Sequence, residues 1–184
     1  MKIHLGCGKN ISDGWVNIDI KYGNIKCDLL HGIPINNCKA SHIFHEHLIE
    51  HLEYPAEAEV FLGECYRVLD DKGMLRIGVP DTEYSIKAYI EKNEDYFLEC
   101  REKWHPDYCT TMMESLNYHF RQNGQHRFAY DYETLEKILL KTGFQNVTRQ
   151  RPKDSVERGF DIDHRIDPGT LFVNCIKFSS NYIS

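Results

Sequence analysis

The sequence predicts an α/β fold built on a mostly parallel sheet, and three observations carry that expectation. The chain opens on a short apolar strand that stops at Gly6-Cys7-Gly8, followed by a second strand ending near Asp19. Between residues 40 and 79 a strand, an amphipathic helix and a buried strand follow in that order, the pattern of a parallel sheet. A capped helix and two further strands close the chain.

The elements follow in order. Lys2 to Leu5 reads as the first strand. Trp15 to Ile20 alternates apolar and polar residues and reads as the second, too close to the first for a full crossover helix between them. Ile25 to Leu29 is expected as a short third strand, and Ala40 to His45 as a fourth with a helix starting near Leu48. The strongest helix runs from about Pro55 to Leu69, where Phe61, Cys65, Val68 and Leu69 form an apolar stripe. Pro55 suits a first turn, since its missing N–H leaves nothing unpaired there. Asp70 to Gly73 reads as a turn and Met74 to Val79 as a buried fifth strand, closed by Pro80-Asp81.

Residues 83–130 break the alternation and hold ten aromatic side chains, a density well above the 12% of the whole chain. Three helices are expected in this insert, over 84–92, 95–103 and 111–121. Its position after strand five suggests a lid over a substrate entrance, with its aromatics forming a small core of their own. Asp131 is a good N-cap for a helix over 132–141, and Gly143 a good C′ residue. Residues 145–151 and 171–178 read as the last two strands, with a polar loop between them. The whole of 1–184 is expected to be one domain, with 83–130 as an insert within it.

Composition excludes several classes. With 41% hydrophobic and 27% charged residues, the chain is an ordinary globular sequence. No apolar run approaches the roughly 18–20 residues of a membrane span, and no secretory signal peptide is recognisable. A net charge of −6 gives no electrostatic footprint for nucleic acid. The seven cysteines are odd in number and contain no CxxC pair, which fits a reducing, cytoplasmic compartment.

A glycine turn after a strand lets the backbone approach a ligand closely, and ligands of open α/β sheets bind beyond the carboxyl ends of the strands. A carboxylate at the end of strand two, Asp19, can accept both hydroxyls of a ribose. Asp28, after the third strand, is placed to meet an adenine ring.

Taken together, LGCGKNISDGWVNID, CDLLHGIPI, SHIFHEHLIEHL and ECYRVLDDKGMLRIGVPD resemble the class I S-adenosylmethionine-dependent methyltransferases, and among them the small methyltransferases associated with polysaccharide and cell-surface biosynthesis. The later segments ETLEKILLKTGFQNV and LFVNCIKF look like the helix and strand pair that end that fold. The resemblance implies a Rossmann-like sheet with an antiparallel C-terminal strand pair, and S-adenosylmethionine as cofactor. It implies that Gly6, Cys7 and Gly8 pass under the methionine part, that Asp19 binds the ribose, and that Asp28 and Leu29 lie beside the adenine. His45, Glu46 and His47 would stand where the substrate and the sulfonium meet. The sequence departs from the family pattern at Asn10, where a third glycine is common, and at Ser41, where an aspartate often begins strand four. The helix before strand one is absent and those after strands one and two are trimmed, so a second copy of the chain is the expected cover for the exposed sheet.

Four histidines, His42, His45, His47 and His51, crowd ten positions. His47-Leu48-Ile49-Glu50-His51 also matches HxxEH, which on a helix would put both histidines on one face to hold zinc for a hydrolase. A zinc hydrolase gives no reason for the glycine turn or for Asp19, so the methyltransferase is preferred; a divalent metal on His47, Glu50 and His51, which a resemblance to the acidic and histidine run of ubiquinone-type O-methyltransferases would imply, is the lesser alternative, and no metal is assigned. A nucleotide-binding module without chemistry is the third alternative. The expected acceptor is a small-molecule or glycan hydroxyl, which needs a general base. His47 is the first candidate, with His126 and His119 in the insert next.

Overall fold

The computed structural model describes residues 1–154 and 158–178. The apolar segments at the start of the chain become parallel strands β1 (Lys2–Leu5), β2 (Val16–Asp19) and β3 (Ile25–Lys26). Strand β4 (Ala40–Glu46) pairs on the other side of β1, and helix α1 (Ala56–Val68) carries the chain over to β5 (Leu69–Pro80). Helices α2 (Thr82–Ile90), α3 (Glu94–Lys103) and α4 (Met112–Arg121) follow. Helix α5 (Tyr132–Thr142) then leads into β6 (Phe144–Gln150) and β7 (Thr170–Lys177). The sheet order is β3-β2-β1-β4-β5-β7-β6, with β7 antiparallel to both its neighbours. This is the Rossmann-like sheet expected from the sequence, with no α-helix between β1, β2 and β3.

Two strand boundaries differ from expectation. β3 stops at Lys26, because Asp28 instead accepts a hydrogen bond from the Leu30 amide and caps a 3-10 turn over Leu29–His31. β5 begins at Leu69 rather than Met74. It pairs once with Ala40, bulges through Asp70–Gly73, and rejoins opposite His42. Gly73 permits this bulge, since a Cβ there would stand 2.8 Å from the Asp70 carbonyl oxygen and 3.0 Å from that of Ala40.

Alternation along the strands gives the sheet two different faces. Ile3, Leu5, Ile43, Leu75, Ile77, Val79, Leu171 and Val173 point to one side, where α1 and α5 bury Phe61, Leu62, Cys65, Leu135, Ile138 and Leu139 against them. On the other side Phe44 and Phe172 pack with Trp15, Phe160 and Ile162. The cover there is the loop before β7, not a helix. It is pinned by Lys2 Nζ donating to the Gly159 carbonyl at 2.7 Å and by a buried ion pair. Arg76, on β5, donates to both oxygens of Asp163 at 2.7 and 2.6 Å, with neither side chain exposed. The guanidinium also stacks 4.4 Å from the Phe172 ring and donates to Asn174 Oδ1 at 2.9 Å.

The helices after β5 build a separate small core from Ala88, Tyr96, Phe97, Cys100 and Leu116. Each begins on its own cap. Asp81 accepts from the Tyr84 amide, Asn93 from that of Tyr96, and Thr111 forms a capping box with Glu114.

Candidate functional site

Because the strands are parallel, β1, β2, β4 and β5 end on one edge of the sheet, and the residues beyond them meet there. Gly6 follows β1 with φ +61°, and its amide donates to the Ile18 carbonyl at 2.8 Å. The amide of Gly8 donates to Asp19 Oδ2 at 3.0 Å, while Oδ1 accepts from the amides of Lys21 and Tyr22 at 2.7 and 3.0 Å. Asp19 thus clasps the glycine turn to the end of β2. Burial pushes its carboxyl up, but the three amides and the Lys21 charge outweigh this and hold it below the usual range. At Gly8, φ is +52° and a Cβ would meet nothing within 4 Å, so the turn faces open space. A groove of about 320 Å³ runs here between Gly8, Lys9, Ile11, Tyr22, Gly23 and Asn24. Cys7 is buried under the turn.

Asp28 and Leu29 lie beyond β3. Asp28 serves as the cap already described and stands 3.4 Å from His31 Nδ1, and Leu29 is buried in the main core. His45 and Glu46 end β4 on opposite faces. The His45 ring is fully buried against Phe61 with neither nitrogen bonded, and burial lowers its pKa to about 3. Its ring therefore reaches no ligand groove. Glu46 accepts from the Arg165 amide at 3.0 Å and ties β4 to the loop before β7.

His47 takes φ +51°, a left-handed conformation unusual for a side-chain-bearing residue, and this turns its ring outward beyond the strand end. Nε2 lies 3.3 Å from Thr170 Oγ1 and Nδ1 lies 3.4 Å from Glu50 Oε1. The next residue, Leu48, packs on Gly6, with its Cδ1 3.0 Å from where a Cβ would stand, so His47 is one residue removed from the glycine turn. Only Ile49–His51 is helical here, as a 3-10 turn. The α-helix that HxxEH needs, with His47 and His51 on one face, does not form.

Two insert histidines are brought to the same place. His126 stands with its ring 5.0 Å from that of His51, and its Nδ1 lies 2.8 Å from the His119 carbonyl oxygen. His51 Nδ1 lies 3.1 Å from the Gln125 carbonyl oxygen. Glu50 is 1% exposed and carries no hydrogen bond on either carboxylate oxygen. Glu50, His51 and His126 each offer a ligand atom within 4.8 Å of the others. Burial pushes the Glu50 carboxyl up, and the neighbouring His47 and His51 more than reverse this. His119 lines the same space more deeply, and burial lowers its pKa to about 3, so it stays neutral.

His47, His119 and His126 border a cavity of about 150 Å³ beyond β4 and β5. Tyr96, Trp104 and Tyr118 wall it from the insert, and Arg165, Asp167 and Thr170 from the loop and the start of β7. The Arg165 guanidinium lies 4.7 Å from the Trp104 ring centre. The structure thus gathers His47, His119 and His126 at one cavity, and Gly6, Gly8 and Asp19 at the adjoining strand ends. Arg165, Asp167 and Thr170 were not foreseen. Their one signal in the sequence is Asp167-Pro168-Gly169, a turn placed directly before an apolar strand.

No family model and no curated protein matches the sequence. Solved structures do match by fold. A SAM-dependent methyltransferase from Archaeoglobus fulgidus is 16% identical, with a TM-score of 0.58 over 96% of this chain and 85% of that one. A possible histamine N-methyltransferase from Thermotoga maritima is 15% identical, with a TM-score of 0.55 over 96% of this chain and 81% of that one. Phosphoethanolamine N-methyltransferase 2 of Haemonchus contortus, solved with S-adenosyl-L-methionine, is 12% identical with a TM-score of 0.56. The match covers 97% of this chain and 48% of that protein, about half its length. At such identities the likeness is one of fold.

Proposed function

We propose that the chain is an S-adenosylmethionine-dependent methyltransferase acting on a small-molecule or glycan hydroxyl. The observation that carries this reading is the junction at the carboxyl edge of the sheet. A glycine turn locked to the acid of the next strand stands one residue from an imidazole that opens into an aromatic-walled cavity. The residues fit the cofactor: the open space at Gly8 leaves room for it, and Asp19 Oδ2 accepts only one amide bond and has a lone pair left for a ribose hydroxyl. Gly6 to Gly8 would pass under the methionine part, and Asp28 and Leu29 would flank the adenine.

When bound, the cofactor supplies an activated methyl group on a sulfonium, whose sulfur leaves as a neutral thioether. The chain's own task is alignment, which can supply about 7–11 kcal/mol of the barrier. His47 would take the proton of the acceptor hydroxyl on Nε2. Buried Glu50, beside Nδ1, orients that ring and stabilises its protonated form. His126, on the cavity rim, is the second candidate base, and neutral His119 is a positioning residue that holds His126 through its carbonyl. Tyr96, Trp104 and Tyr118 offer faces for a sugar ring, in keeping with an acceptor from polysaccharide or cell-surface biosynthesis. Seven unpaired cysteines favour a cytoplasmic setting, and no described helix is long and apolar enough to cross a membrane.

Calorimetry with S-adenosylhomocysteine tests the cofactor assignment. Micromolar binding that disappears in Asp19→Ala is expected, and failure of the unmodified protein to bind overturns the reading. An acceptor screen with labelled methyl donor then tests the base. His47→Ala should lose about 10²–10⁴-fold in turnover, and full activity in that variant removes His47 from the mechanism.

A further inference from the structure

We propose that Glu50, His51 and His126 form a binding site for one divalent transition-metal ion beside the cavity. The site shares Glu50 and His126 with the proposed mechanism, so a bound ion would leave His47 as the base, but it uses no side chain that holds the cofactor.

Three observations support the site. The first is convergence. Ligand atoms from two chain segments, 75 residues apart, come within 4.8 Å of one another. The segments are strapped together by the Arg127 and Phe128 amides, which donate to the Glu50 carbonyl at 2.8 and 3.2 Å.

The second is the state of Glu50. Its carboxylate is 1% exposed, and neither oxygen has a hydrogen-bond partner. A buried charge persists when it is paired or bound to a metal. His47 Nδ1, at 3.4 Å, lies on one side of the carboxylate and leaves the second oxygen for an ion.

The third is how the imidazoles are held. Nδ1 of His51 and Nδ1 of His126 each meet a backbone carbonyl oxygen, at 3.1 and 2.8 Å. A carbonyl only accepts, so each Nδ1 carries the proton and Nε2 keeps its lone pair. Metal-binding histidines are commonly held in this way.

Two imidazoles and one carboxylate suit zinc and its first-row neighbours rather than calcium or magnesium. In a tetrahedral zinc site at about 2.0–2.1 Å, ligand atoms stand about 3.3 Å apart. The ligand atoms here lie within 4.8 Å of one another, so binding an ion would draw them together. Three protein ligands leave a coordination position open, as in sites where a metal meets water or an acceptor oxygen.

The test uses the full chain stripped with a chelator. It is titrated with cobalt(II) under visible spectroscopy and with zinc(II) by calorimetry. One equivalent is expected, with d–d bands of nitrogen and oxygen coordination and no thiolate charge-transfer band. His51→Ala and His126→Ala should each weaken binding by more than the about 10–100-fold that loss of an outer hydrogen-bond partner causes. Cys38→Ser, at an exposed thiol, should change nothing. Circular dichroism checks that each variant is folded. Absence of saturable binding, a thiolate band, or unchanged affinity in the His51→Ala/His126→Ala double variant overturns the proposal. Binding of S-adenosylhomocysteine to the metal-free chain is measured separately, so failure of one assignment does not pass for failure of the other.

Discussion

His47 keeps a left-handed backbone at φ +51° although it carries a side chain, and such conformations persist where the surroundings over-determine them. Its amide is held by the Gly78 carbonyl at 2.8 Å, and its ring by Thr170 and Glu50. A Cβ in this conformation costs about 1–2 kcal/mol, a cost glycine does not bear. His47→Gly should therefore be more stable than His47→Ala by about 1 kcal/mol, read from urea midpoints, while both variants are equally poor in turnover. Equal midpoints would mean that the backbone relaxes once the ring is gone. At this scale the sequence was informative where chemistry is local. Gly6, Gly8 and Asp19 lie within fourteen positions, and their spacing around one strand end could be read directly. The pairing of Glu50 and His51 with His126 could not. It depends on how the insert returns to the sheet, and no local periodicity encodes that. His45, fully buried, sits beside Phe44 in a strand whose two faces are both covered.

Helices were legible through their ends. Asp131 accepts from the Thr134 amide at 2.8 Å, and Gly143 takes φ +107° at the other end of α5. Asp131→Ala should lower stability by about 1 kcal/mol, measured as a shift in urea midpoint with an unchanged slope. The α1 stripe and the three insert helices lie within a few residues of their expected bounds. Strand ends were less legible, because a strand stops where its partner stops. β3 ends early once Asp28 turns to its cap, and β5 starts early because Ala40 offers one more pairing position. The loop before β7 read as polar connection. Phe160 and Ile162 gave no periodic signal, yet they supply two of the five buried side chains of one hydrophobic layer, and Arg165 and Asp167 supply part of the cavity wall.

Across the whole molecule, the histidines set how stability follows pH. Burial, aided at His4 and His119 by nearby histidines and at His105 by Arg101, lowers His4 and His105 to about 4 and His45 and His119 to about 3, against 6.5 when unperturbed. Between those values the unfolded chain takes up protons that the folded chain refuses. Stability is then flat above pH 6.5 on their account and falls as the pH drops below it, by up to about 1.4 kcal/mol per pH unit for each histidine. Glu46 and Asp81, whose carboxyls burial raises, work in the opposite direction. Urea titrations from pH 8 to about pH 5 should show this acid limb, and His45→Leu should make it shallower by one proton. The buried pair of Arg76 and Asp163 bears on a different matter, the order in which the chain is made. The two are 87 residues apart, so a ribosome releases β5 well before the partner of its central arginine. Until the loop before β7 emerges, that guanidinium has no carboxylate to enter the interior with, and leaving a buried charge uncompensated costs about 3–5 kcal/mol. The outer layer of the sheet therefore closes only after residue 163 has emerged, and nascent chains halted before that residue should remain open to protease along that face.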